Sequence, residues 1–164
     1  MAARIFSVAK DGLIPSDFLH SGLDHMTAAK LLFDSSPDHY DSGGYLAHIA
    51  VELLTKAWLL EIAGEFEGVH NLEILYAHLV EKHGISPLDE KRQATLRMLD
   101  QFEQLRYPNR KEPVEIGGTD FPGIDALVGH LCRSMPEAIP KALEQEQGEH
   151  IRKGGRILMK KRIE

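Results

Sequence analysis

The chain has 164 residues, 43% of them apolar and 27% charged, which suits one domain with a real core and is too short for two ordinary domains and a linker. The net charge of −6 is unevenly spread: residues 152–164 hold six basic side chains and one acidic one, +5, leaving −11 on residues 1–151. So acidic a body argues against broad attraction to nucleic-acid phosphates. No apolar run reaches the length of a membrane span, and Arg4 and Lys10 interrupt any secretory segment at the N-terminus. The single cysteine, Cys132, excludes an intramolecular disulfide, and its spacing from Leu127, Val128 and Leu131 points it inward as a buried thiol in a reducing, cytoplasmic setting.

After a lead-in over residues 1–15, Pro15-Ser16-Asp17 reads as a helix start. Ser16 supplies an N-cap oxygen, and Asp17 places negative charge at the positive end of the helix dipole. This first helix is expected over 16–33, with Leu19, Leu23, Met26, Lys30 and Phe33 as its inward stripe. A second helix, expected over 42–63, is apolar around most of its circumference. Leu46, Ile49, Ala50, Leu53, Ala57 and Leu60 make one face, and Val51, Leu54, Trp58 and Ile62 extend it. Such a helix is central or lies at a subunit interface. Only His48, Glu52, Thr55 and Lys56 form a polar stripe on it.

Gly64 ends that helix, Asn71 is the expected cap of a third helix carrying Leu72, Leu75, Tyr76 and Leu79, and His83-Gly84 closes it. Ser86-Pro87 is expected to open a fourth helix, whose stripe is Leu96, Leu99, Phe102 and Leu105 and which Pro108 stops. Beyond the turn-rich run 109–119, a fifth helix is expected over 122–135 and a charged one over 141–153, with Gly154-Gly155 leading into the basic tail, 151–164. There is no solenoid repeat, and no pair of alternating strands is joined by a two-residue turn. The class is all-α, a bundle of five to six helices filling 16–150.

One ordered set of residues is more specific. Ala47-His48-Ile49-Ala50-Val51-Glu52-Leu53-Leu54-Thr55-Lys56 and its apolar continuation precede His70-Asn71-Leu72-Glu73-Ile74-Leu75, and then Leu105-Arg106-Tyr107-Pro108. The arrangement A-x-E-x-x-x-K, H-x-L-x-x-L and R-Y-P resembles the HEPN superfamily over roughly residues 16–145. The resemblance implies an up-and-down bundle, a homodimer, and work on nucleic acid or nucleotides. Ribonuclease members carry an Arg, a polar residue, three positions and a His, whereas this chain reads Arg106-Tyr107-Pro108-Asn109-Arg110-Lys111-Glu112, without a His. RNA cleavage by general acid and base needs a group titrating near neutrality, usually His, so no catalytic residue is assigned. The R-Y-P ending is similar to HEPN proteins that accompany small nucleotidyltransferases, which implies a binding or interaction role with a nucleotide ligand or a nucleotidyltransferase-type partner.

Glu52 and Lys56, four apart with Glu first, make a helix pair worth only about 0.2–0.5 kcal/mol if exposed. They are either a solvated pair or, on a central helix, part of a polar cluster. In the second case they need partners, and Glu52, Lys56, His70, Arg106 and Tyr107 form the candidate ligand-binding set. His48 with Glu52, and His20 with Asp24, also have metal-ligand spacing. A di-metal bundle needs carboxylate and Glu-x-x-His pairs from several facing helices, which this sequence does not supply, so neither a metal nor another cofactor is assigned. Two competing readings stay open: an atypical HEPN nuclease using Arg106, Tyr107 and His70, and a structural dimer whose polar cluster only organises the core. The basic tail is either solvated or an arm for a second subunit or for RNA, and nucleic-acid binding by it is left open.

Overall fold

A computed structural model describes residues 2–106, 110–111 and 113–152, the side chains of 105, 106 and 148–152 excepted. The elements in order are a strand β1 (Ile5–Ser7), a one-turn helix α1 (Val8–Asp11), α2 (Pro15–Ser35), α3 (Tyr40–Ala63), β2 (Glu65–Glu67), α4 (Leu72–His83), α5 (Glu90–Asp100), a 3-10 segment (Gln101–Arg106), α6 (Phe121–Ser134) and α7 (Ala138–Arg152). The helical bundle is as expected; α1 and the small sheet are additions. β1 and β2 pair antiparallel, Phe6 opposite Phe66, and are far apart in sequence, so no hairpin turn announces them.

Each helix end has a local cause. Gly64 and Gly84 adopt the left-handed conformation with φ of 73° and 66°, and their amides bond back to the last turns of α3 and α4. Asn71 caps α4 by accepting from the Ile74 amide at 2.8 Å. Two starts differ from expectation. α2 begins at Pro15, whose fixed φ suits a first helical residue, so Ser16 lies inside the first turn, buried and with its Oγ unbonded, rather than acting as the cap. α5 begins three residues later than Pro87, because the Asp89 carboxylate accepts from the Arg92 amide at 2.8 Å and caps the helix there.

α3 runs through the middle and packs on α2, α4, α5, α6 and α7. α2 lies closest. Its buried stripe is Leu19, Gly22, Met26, Ala29 and Phe33, with Leu23 exposed and Lys30 paired to Asp34 in solvent. Small residues replace the expected Leu23 and Lys30 because the two helices nearly touch: a Cβ on Gly22 would stand 3.2 Å from the Ala50 carbonyl oxygen. Leu96, Leu99 and Phe102, from the stripe expected for the fourth helix, are fully buried, and α6 turns Ile124, Leu127, Val128 and Leu131 inward.

The least expected feature is the orientation of α3. Its polar stripe faces the interior: His48 is 2% exposed, Glu52 8%, Thr55 1% and Lys56 5%. Leu46, Ile49 and Leu53, on the face read as packed in the core or at a subunit interface, are half-buried. The solvated-pair reading of Glu52 and Lys56 is thereby overturned. No helix among the described residues is long and apolar enough to cross a membrane.

Candidate functional site

The polar stripe of α3 places His48, Glu52 and Lys56 one helical turn apart, so their side chains stack along one line inside the bundle. A charge buried there is costly unless bonded. Lys56 Nζ donates to Glu52 Oε1 at 2.5 Å. From the loop ahead of α4, His70 Nδ1 reaches the same carboxylate at 3.0 Å from Oε1 and 3.2 Å from Oε2. His48 Nε2 stands 3.6 Å from Oε2. One carboxylate is thus surrounded by three nitrogen-bearing side chains.

Each partner is itself held. His48 Nδ1 donates to the Leu99 carbonyl at 2.9 Å, joining α3 to the end of α5 and leaving Nε2 to face Glu52. Thr55 Oγ1 donates to the Val51 carbonyl of its own helix. Lys56 Nζ lies 5.0 Å over the Phe66 ring, and that ring stacks on Phe6 and meets Phe18 edge-on. The β1–β2 ribbon therefore closes the Lys56 end of the stripe with aromatic surface. At the other side, Asp100 Oδ1 accepts from the Leu72 amide at 2.7 Å and anchors the start of α4 beside His70.

Burial by itself would raise the Glu52 pKa; contacts from His48 and Lys56, the Lys56 charge and the His70 bond outweigh it and hold the carboxyl at about 2. Glu52 is consequently a carboxylate at neutral pH and a weak base. Asp100 shifts the opposite way: its burial raises its pKa against the opposing Leu72 amide and the His48 charge. Of the three side chains around Glu52 only His70 reaches the surface, with 43% of its side chain exposed.

Of the expected ligand-binding set, Glu52, Lys56 and His70 come together. Arg106 ends the 3-10 segment, its side chain outside the described residues, and Tyr107 lies outside them altogether. That segment meets α3 through Phe102, packed against Gly44, eight residues and about 12 Å along the helix from Glu52. His48 and Glu52, spaced for a metal, are instead bonded to Leu99, Lys56 and His70. The basic tail beyond 152 is likewise outside the described residues. Residues that sequence reading missed are His48 as a bridge to α5, Phe66 under Lys56, and a cleft between β2 and α4 where Glu67 pairs with Lys82 at 3.4 Å and faces His78 at 3.9 Å. Only the tertiary fold brings these together, and no spacing could have revealed them.

A comparison with curated proteins gives no match. A sequence model of the HEPN domain matches residues 16–150, nearly the whole bundle. On that match, together with the helical fold around α3, the chain belongs to the HEPN domain family.

Proposed function

We propose that this chain is a binding member of the HEPN family, not a ribonuclease, which receives a nucleotide-like anion or a nucleotidyltransferase-type protein. In this reading it belongs with the R-Y-P members. The observation that carries the reading is the state of Glu52: a carboxylate held at about 2, with Lys56 and His70 bonded to it, is spent on organising the core and is a poor proton acceptor for catalysis. What the cluster offers a ligand is His70, fixed in orientation and half open to solvent; Arg106 and Tyr107 stay in the proposed ligand-binding set as a cationic and an aromatic side chain. The half-buried Leu46, Ile49 and Leu53 on α3 support a homodimer packed through that helix.

The test is a thermal-shift screen against nucleotides and short RNAs. A ligand at one hundred times its Kd adds about 2.7 kcal/mol of stability, a rise of about 5–10 °C in Tm for a domain this size. A rise with one nucleotide class that disappears in His70→Ala and Arg106→Ala supports the reading. No rise with any nucleotide, in a chain that is still a dimer by sedimentation, favours the purely structural dimer.

A second reading, an atypical nuclease built on His70, Arg106 and Tyr107, has one observation in its favour. The Glu52 carboxylate holds His70 by Nδ1, the way a buried carboxylate orients a general base. RNA cleavage by the purified chain that His70→Ala abolishes would establish it and reject the non-catalytic one.

A further inference from the structure

Residues 4–11, which carry β1 and α1, form a strap across the Lys56 end of the Glu52 cluster and lie ahead of the HEPN domain. Many of the strap's polar bonds are internal. The Arg4 guanidinium lies 4.4 Å over the Phe6 ring and pairs with Asp11 at 3.4 Å. The Ser7 amide donates to the Asp11 carboxylate at 2.9 Å, and Ser7 Oγ accepts from the Lys10 amide at 3.1 Å. Toward the body, the Val8 amide donates to the Gly64 carbonyl at 2.9 Å and the Gly68 amide to the Arg4 carbonyl at 2.7 Å, with Phe6 opposite Phe66 between them.

What the strap covers is aromatic. Phe6 stacks on Phe66 at 5.6 Å between ring centres, and Lys56 Nζ lies 5.0 Å over the same Phe66 ring. Gly68 leaves room for the stack: a Cβ there would stand 2.7 Å from Phe6 Cε2 and 3.0 Å from the Arg4 carbonyl oxygen. Yet no residue from 2 to 15 is buried, and Ile5 and Val8 are 44% and 41% exposed. A segment that buries so little opens at a lower cost than the bundle unfolds. Its joint is Gly12, left-handed with φ of 66° and with open space where a Cβ would be. Opening loses the stack, but it brings the buried Lys56 ammonium nearer to water, which offsets part of that loss.

We propose that residues 4–11 swing as a unit about Gly12, and that the stack of Phe6 on Phe66 is a gate that sets the access of solvent and ligand to Lys56. With Phe6 lifted, Phe66 loses the ring that holds it over Lys56 and can turn aside. The gate is a property of the fold and holds whether the cluster binds a ligand or only organises the core.

The experiment labels the lysines of the full chain with N-hydroxysuccinimidyl acetate and reads Lys56 by mass spectrometry, with amide exchange of Val8, Gly68 and Leu54 followed by NMR. Val8 and Gly68 donate the bonds that hold the strap, whereas Leu54, fully buried in α3, reports opening of the whole bundle. The Val8 and Gly68 amides are expected to exchange much faster than Leu54, at rates that low urea leaves unchanged. Gly68→Ala pushes Phe6 off its stack and speeds Lys56 labelling about tenfold or more, a larger factor than its effect on Leu54 exchange. The opposite variant combines Ser7→Cys with Glu65→Cys, which face each other in register, in a Cys132→Ala chain. Its disulfide slows Lys56 labelling relative to the same chain reduced, again by a larger factor than Leu54 exchange. Val8 and Gly68 amides as slow as Leu54, a Lys56 rate that Gly68→Ala leaves unchanged, or one that falls under the disulfide only in step with Leu54 would each overturn the proposal.

Discussion

His70 Nδ1 lies 3.0 Å from Glu52 Oε1, a bond that spans 18 positions of sequence and ties the loop ahead of α4 to the middle of α3. The two ends of this bond differ in character. Glu52 is almost out of solvent, whereas His70 is half exposed, so the bond connects the interior charge of the bundle with its surface. With Lys56 on the same carboxylate, removal of one partner strands the charge of another.

Replacing Glu52 by Ala leaves Lys56 and His70 facing each other with no counter-charge in a buried site. Breaking one side of a buried pair costs about 3–5 kcal/mol, and Glu52→Ala is expected to lose that much in urea unfolding monitored by circular dichroism. Lys56→Met, which keeps the stem over Phe66, strands Glu52 instead and destabilises as well. The pair Glu52→Leu with Lys56→Met is expected to recover most of the loss. A double variant as unstable as Glu52→Leu and Lys56→Met summed would show that the side chains act separately.

The same carboxylate sets an acid limit. Its folded pKa of about 2 is below the ordinary 4.5, so its contribution to stability is fully present above pH 4.5 and is lost as pH falls toward 2. The shift corresponds to about 3 kcal/mol at neutral pH. Asp100 has the opposite sign: its raised pKa means that protonation favours the folded state, and ionisation weakens the fold as pH rises. Asp100→Asn keeps an acceptor for the Leu72 amide and removes the buried charge. At pH 7 it is expected to be at least as stable as the parent, while Asp100→Ala, which loses the cap, falls by about 1 kcal/mol. Urea midpoints of the three chains between pH 3 and 8 separate the two carboxylates.

Much of this was legible beforehand, and the failures have a common cause. Gly64, Asn71 and Gly84 mark helix ends by backbone and side-chain chemistry that needs no tertiary partner, and each acts as sequence reading expects. The A-x-E-x-x-x-K pattern located Glu52 and Lys56. Periodicity, however, gives the faces of a helix without saying which one turns inward. For α3 the apolar surplus left Ile49 and Leu53 in the core or at a subunit interface, and Glu52 took the interior because Lys56 and His70 bond to it there. In α2 the close approach to α3 selected Gly22 and Ala29 over Leu23, a choice that depends on distance between helices. The β1–β2 ribbon was invisible for the same reason: its strands are short, distant in sequence and held by the Phe6–Phe66 stack.

Cys132 is half-buried beside the core, and burial raises its thiol pKa while Arg133 opposes the rise. The thiolate is the reactive form. Alkylation by iodoacetamide at pH 7.4 is accordingly expected to be slow in the folded chain and to reach the rate of a free thiol once urea unfolds it. Mass spectrometry of the time course reads both rates. Fast alkylation without denaturant would mean that the packing around this side of α6 opens easily.

Gly44 offers the sharpest test of how the 3-10 segment seats on α3. A Cβ at this position would collide with the ring of Phe102, which is fully buried and has no flexible end to swing aside. Gly44→Ala improves helix propensity by about 0.5–1 kcal/mol, so an exposed site would gain stability. Overpacking works against it and costs about 1–3 kcal/mol, and the net expectation is a less stable chain. Phe102→Leu alone also destabilises, by loss of buried ring surface. Combined with Gly44→Ala, the smaller side chain leaves room for the new methyl, so the double variant is expected to be more stable than the sum of the single losses. Strict additivity in urea unfolding would place the Phe102 ring away from Gly44 and with it the whole run from Gln101 to Arg106, so this cycle also checks the backbone position from which Arg106 is proposed to act.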